Sequence, residues 1–78
     1  MTTAEWRNAN PLRVYRTERG MSQFRAAEHL DVHPQSIQNW EFGRSTPSLA
    51  YMRVIAQMMV VTRDTLDARW SRWLERKP

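Results

Sequence analysis

Helix start signals divide the chain into five short segments, and the positions of these signals constrain the fold more than any other feature of the sequence. Three signals pair a polar residue with a following proline and two are single capping residues: Asn10-Pro11, His33-Pro34, Thr46-Pro47, Ser22 and Thr62. Asn, Ser and Thr side chains accept hydrogen bonds from first-turn N–H groups, and proline suits the first helical position because its φ is fixed. No stretch alternates polar and apolar residues as a strand does. The sequence therefore predicts an all-α domain of five helices.

The predicted helices carry apolar residues at helical spacing. The first runs from Pro11 to about Arg19, the second from Ser22 to about Leu30, and the third ends near Phe42. Residues 1–9 are predicted to form a flexible N-terminal arm and residues 10–76 the folded domain. The residues predicted to face the core are Leu12, Val14, Tyr15, Ala26, Ala27, Leu30, Ile37, Trp40, Leu49, Met52, Ile55, Ala56, Met59 and Leu66.

The composition argues against several classes of protein. With no cysteine and two histidines among 78 residues, we expect no disulfide, no zinc site and no other metal. No nucleophile, base and orienting acid converge and no glycine-rich phosphate loop is present, so we expect no enzyme, no cofactor and no small-molecule ligand. No apolar stretch approaches the roughly 20 residues of a membrane span, and the N-terminus lacks an apolar signal core. We therefore expect a cytoplasmic protein without a membrane partner.

The charge balance is a weak indication of a polyanionic partner. The net charge is +4, and 11 of the 12 basic residues are arginine, which suits bidentate phosphate contacts. The excess lies toward the two ends of the chain, whereas residues 31–60 are close to neutral. A partner of this middle region must therefore be recognised by uncharged polar groups.

A short connection joins the second and third predicted helices. Only Asp31, Val32 and His33 separate them, which forces a sharp turn and makes residues 22–42 a helix-turn-helix unit. A small residue, Ala27, allows the two helices to cross closely, and Val32 is expected to face the core. The outer face of the third predicted helix then carries uncharged side chains that both donate and accept hydrogen bonds: Gln35, Ser36, Gln38 and Asn39.

From Leu12 to Leu66, about 55 of the 78 residues, the chain resembles the Cro/cI-type (XRE-like) helix-turn-helix family of phage and bacterial transcriptional regulators. The resemblance is carried by ordered motifs: Ser22-Gln23, Ala27-Glu28, Trp40-Glu41-Phe42-Gly43-Arg44 and Pro47-Ser48-Leu49. It implies a compact five-helix, lambda-repressor-like DNA-binding domain. Two positions depart from the pattern, since Asp31 and Val60 stand where the family prefers glycine. Asp tolerates a left-handed conformation and Val does not, so we expect the fourth predicted helix to run longer or to end irregularly.

The resemblance also implies roles for single residues. Those on the outer face of the third predicted helix would read bases: Gln35, Ser36, Gln38 and Asn39. Gln and Asn can pair bidentately with adenine in the major groove. The phosphate contacts would be Gln23 and Arg44, with Arg13, Arg25 and His33 as further candidates. Arg16 and Glu41 would form a structural ion pair.

The end of the fifth predicted helix leaves two interpretations open. Trp70, Trp73 and Leu74 follow the spacing of a core stripe, yet they offer more aromatic surface than a domain of this size easily hides. We therefore expect them to contribute to a homodimer contact, with Trp6 of the N-terminal arm as a further residue able to pack against the same region.

The leading functional prediction is a small Cro-like repressor that binds a pseudo-palindromic DNA operator as a dimer, with the third predicted helix in the major groove. The alternatives are an antitoxin that represses its own promoter and a protein-interaction module that does not bind DNA.

Overall fold

The computed structural model describes all 78 residues and contains six α-helices and no strand. The helices are α1 (Thr3–Asn8), α2 (Pro11–Glu18), α3 (Gln23–Leu30), α4 (Pro34–Glu41), α5 (Leu49–Met59) and α6 (Arg63–Glu75). The prediction of an all-α fold is confirmed, with one helix more than expected. No helix has both the length and the apolar character that crossing a membrane requires.

Four of the five predicted helix starts are present, and the fifth is displaced. The start signals at Asn10, Ser22, His33 and Thr62 all act as N-caps. Helix α5 begins two residues later than the Thr46-Pro47 pair predicts, because the Ser48 hydroxyl accepts from the Tyr51 backbone N–H at 3.3 Å. Ser48 is therefore the cap, and Pro47 is buried ahead of the helix.

The prediction of a flexible arm over residues 1–9 is wrong, because most of this segment is the helix α1. A capping box begins it: the Thr2 hydroxyl accepts from the Glu5 N–H at 3.1 Å, and the Thr2 N–H donates to the Glu5 carboxylate at 3.0 Å. Bonding to the Thr2 backbone and then to its hydroxyl lowers the pKa of Glu5. At pH values above the usual pKa of a glutamate carboxyl, Glu5 is ionised and the cap stabilises α1. The stabilisation is lost as the pH falls and Glu5 is protonated. This Thr-x-x-Glu pattern is the signal in the sequence that predicts the helix.

Trp6 attaches α1 to α6 and corrects the prediction of a dimer contact at Trp70 and Trp73. The Trp6 and Trp73 rings stack at 4.1 Å between centroids, and each indole N–H donates to the other residue's backbone carbonyl at 2.6 Å. Trp70 packs edge-on against Trp73. All three tryptophans are at most 4% exposed, so a helix of the same chain covers the surface expected to need a partner. Leu74 alone of the predicted contact residues stays exposed, at 36%.

The two residues that replace family glycines both adopt the left-handed conformation, with φ of 53° at Asp31 and 58° at Val60. The expectation that α5 runs on or ends irregularly is therefore wrong. The Val60 and Val61 N–H groups donate to carbonyls of the last turn of α5, at 3.1 and 3.0 Å. Val60 is 88% exposed, so its side chain meets little beyond its own strained backbone.

The core is one cluster of thirteen buried residues drawn from all six helices. Two residues predicted to face it do not, since Val14 is 36% and Leu49 is 55% exposed. The buried residues of α2 are Leu12, as predicted, and Arg16. One of the two buried residues of α2 is therefore charged, which the apolar pattern does not predict.

Candidate nucleic-acid interface

Helices α3 and α4 form the helix-turn-helix unit, and the turn between them is fixed by the backbone. The Val32 N–H donates to the Ala27 carbonyl at 3.0 Å, while Asp31 supplies the left-handed residue that reverses the chain. Ala27 is 2% exposed, and Val32 packs against the core. The outer face of α4 is thereby held at the surface.

Three amide side chains on that face form a network. The Gln35 side-chain N–H group donates to the Gln38 oxygen and to the Asn39 oxygen, both at 3.1 Å. Gln35 is exposed, and Gln38 and Asn39 are half-buried. Residues three and four positions apart lie on one side of a helix, so a ligand would meet the three amides as a single surface of donors and acceptors.

Ser36 and His33 lie at the first turn of α4. The His33 Nδ1 accepts from the Gln35 backbone N–H at 3.0 Å, which makes His33 the N-cap of the helix. Only the Nε2 atom of its exposed ring is then left for an outside partner. Ser36 is half-buried.

Arg16 and Glu41 form the ion pair that the family resemblance implies. The Arg16 Nε and one terminal nitrogen donate to the two carboxylate oxygens of Glu41, each at 2.8 Å. The second terminal nitrogen donates to the Met21 carbonyl at 3.0 Å. Glu41 is fully buried and Arg16 is 7% exposed. The pair therefore ties α2, the α2–α3 loop and the end of α4 together beneath the unit.

Two of the predicted phosphate contacts gather around the same carboxylate. The Gln23 side-chain N–H group donates to Glu41 at 3.4 Å, and an Arg13 terminal nitrogen lies 3.8 Å from it. Gln23 is the first residue of α3, where free backbone N–H groups favour an anion. Arg25 and Arg44 are exposed and enter no ion pair within the chain.

The structure also brings to this region a residue that the sequence motifs do not single out. The Arg7 guanidinium carbon lies 4.2 Å from the Phe42 ring centroid, and the Arg44 guanidinium carbon lies 5.0 Å from it. Arg7 belongs to α1, which was predicted to be flexible. The capping box of Thr2 and Glu5 predicts the helix, but no pattern in the sequence predicts the contact with Phe42.

A helix-turn-helix family model matches residues 12–66, which are 55 of the 78 residues. The chain belongs to the Cro/cI-type helix-turn-helix family. The match contains the whole of α2 to α5 apart from Pro11, and it ends early in α6. No curated protein and no solved structure gives a significant match to the chain. Membership makes the chain a DNA-binding helix-turn-helix regulator. Helix α1 and most of α6 lie outside the matched residues.

Proposed function

We propose that the chain is a sequence-specific repressor that binds a pseudo-palindromic operator as a homodimer, with α4 in the major groove of each half-site. The observation that carries this proposal is the amide network of Gln35, Gln38 and Asn39 on the outer face of α4. The major groove admits one α-helix, and amide side chains pair with adenine edges there. Because these side chains bond only to one another, they can exchange those bonds for base edges without unfolding the helix.

The phosphate contacts in this proposal flank the base-reading face. Gln23 and the first turn of α3 meet one phosphate, and Arg44 meets another after the end of α4. Arg13, Arg25 and the Nε2 atom of His33 are further contacts. Phosphate contacts set register and affinity, whereas base contacts set specificity. Repression follows because an occupied operator blocks the promoter.

A dimer is proposed because two α4 helices about 34 Å apart fit successive major grooves on one side of DNA. With Trp70 and Trp73 buried, two exposed leucines remain as candidates for the contact. Leu49 and Leu74 line one groove of about 370 Å³ between α5 and α6. Sedimentation of the wild type and of a Leu74→Glu variant tests this part. A wild-type dimer that Leu74→Glu makes monomeric supports it, and a wild-type monomer on operator DNA contradicts it.

The base and phosphate roles are tested by comparing two variants on selected-site DNA and on random DNA. Gln38→Ala should lose roughly 1–3 kcal/mol of discrimination at particular base pairs and little affinity for random DNA. Arg44→Ala should weaken binding to both DNAs by a similar factor. Equal losses on both DNAs for Gln38→Ala would refute base reading by this residue.

A further inference from the structure

Helix α1 lies outside the matched residues 12–66, yet its position is fixed by two contacts of Trp6. One is the reciprocal pair of hydrogen bonds with Trp73 on α6. The other is the backbone of Gly43, where an ideal Cβ would lie 2.5 Å from the Trp6 ring. Gly43 follows Phe42 and precedes Arg44, so the Trp6–Gly43 contact packs α1 against the segment that carries Arg44.

Arg7 follows Trp6 and is thereby held over the Phe42 ring. Its guanidinium carbon lies 4.2 Å from the ring centroid, and its Nε is buried without a hydrogen-bond partner. Arg7 takes part in no ion pair within the chain. The side chain is half-buried, so its terminal nitrogens reach the surface. An arginine carries five N–H donors, and this one is positioned without an acceptor.

Arg44 brings a second cation to the same ring. Its guanidinium carbon lies 5.0 Å from the Phe42 centroid, and it too has no acidic partner. The acidic residues nearest in sequence are already engaged, Glu5 with Thr2 and Glu41 with Arg16. Two like charges near one ring repel each other, and an anion bound by both arginines would reduce that repulsion.

We propose that Arg7 and Arg44 together bind a backbone phosphate of DNA, so that α1 supplies a contact that the family match does not contain. This proposal rests on the proposed DNA-binding function. Guanidinium groups suit phosphate oxygens because their planar donors match them bidentately. Phe42 lies within cation–π distance of both guanidinium groups, and the Trp6 contacts keep α1 in place, so Arg7 loses little side-chain freedom on binding.

The test measures the binding of the full chain to a short mixed-sequence DNA duplex over a series of salt concentrations. The variants are Arg7→Gln, Arg7→Lys and Arg72→Gln. Arg72 is an exposed arginine of α6 that makes no cation–π contact with Phe42, so Arg72→Gln removes the same charge without touching the proposed site. We expect Arg7→Gln to bind roughly tenfold more weakly and to lower the slope of log affinity against log salt by about 0.9. Arg72→Gln should change both by much less.

Arg7→Lys and thermal melts separate a phosphate contact from a merely structural one. Lysine keeps the charge, so Arg7→Lys should retain most of the salt slope even if weaker stacking lowers its melting temperature. The proposal is overturned if Arg7→Gln binds as Arg72→Gln does, or if Arg7→Lys loses as much salt slope as Arg7→Gln. If the wild type shows no salt-dependent binding to the duplex, the proposed DNA-binding function fails instead, and the two failures are thus distinguishable.

Discussion

Replacing Arg16 by alanine tests the buried ion pair beneath the helix-turn-helix unit. Arg16 donates two hydrogen bonds to Glu41 and one to the Met21 carbonyl. Without it, the fully buried Glu41 carboxylate would keep only Gln23 at 3.4 Å and Arg13 at 3.8 Å. Removing one partner of a buried ion pair typically costs about 3–5 kcal/mol, because the remaining charge is left uncompensated.

The size of that loss can be compared with the stability of the whole chain. At about 0.05–0.15 kcal/mol per residue, a chain of this length has roughly 4–12 kcal/mol of unfolding free energy. Each kcal/mol shifts the melting temperature of a domain this small by about 4–8 °C. Arg16→Ala should therefore lower the melting temperature by roughly 12–40 °C, or leave the chain unfolded at room temperature.

Circular dichroism melts and urea titrations of Arg16→Ala check this prediction. The control is Arg53→Ala, which removes an exposed arginine from α5 and should stay within about 0.5 kcal/mol of the wild type. The double variant Arg16→Met/Glu41→Leu removes both charges, so it should be more stable than Arg16→Ala. If Arg16→Ala melts together with Arg53→Ala, the pair does not hold the unit in place and the reasoning is refuted.

Four further substitutions concern the helix ends and the attachment of α1, and denaturant titration checks each of them. Gly43→Ala should lower the free energy of unfolding by roughly 2–5 kcal/mol, because a methyl group there meets the Trp6 ring and φ is +72°. Wild-type stability would show that the packing of α1 does not require glycine at this position. Val60→Gly should gain about 0.5–1 kcal/mol by relieving left-handed strain, and Asp31→Gly should gain less; a loss at Val60 would refute the strain. Trp6→Phe should cost about 1–3 kcal/mol, since it removes the donor to the Trp73 carbonyl; no change would show that the hydrogen bond is dispensable.

Most of the fold follows from local signals in the sequence. The caps at Asn10, Ser22 and Thr62 place helix starts correctly because capping depends on residues within one turn. The regular end of α5 was not predicted, since the left-handed strain at Val60 depends on that residue alone, while the packing of Val61 against the core is tertiary. The strain is visible in the residue type, whereas the packing requires the folded structure.

In the candidate site, too, the features set by local sequence were predicted and those set by tertiary packing were not. The amide face of α4 follows from helical spacing. The Arg16–Glu41 pair follows from the family resemblance. The position of Arg7 could not be predicted in this way, because it depends on how Trp6 packs against Gly43 and against Trp73, a residue 67 positions away. Burial of Trp73 by that contact is also why its predicted role at a dimer surface is wrong.

Selection of bound sequences from a random pool of double-stranded DNA tests the central claim most directly. The proposed function predicts enrichment of a two-fold symmetric site whose half-sites lie about one helical turn apart, roughly 34 Å. Enrichment of a single, asymmetric half-site would contradict the dimer. A chain that enriches no sequence and shows no salt-dependent affinity for DNA would contradict the repressor, and would favour a module that binds protein through the α4 face.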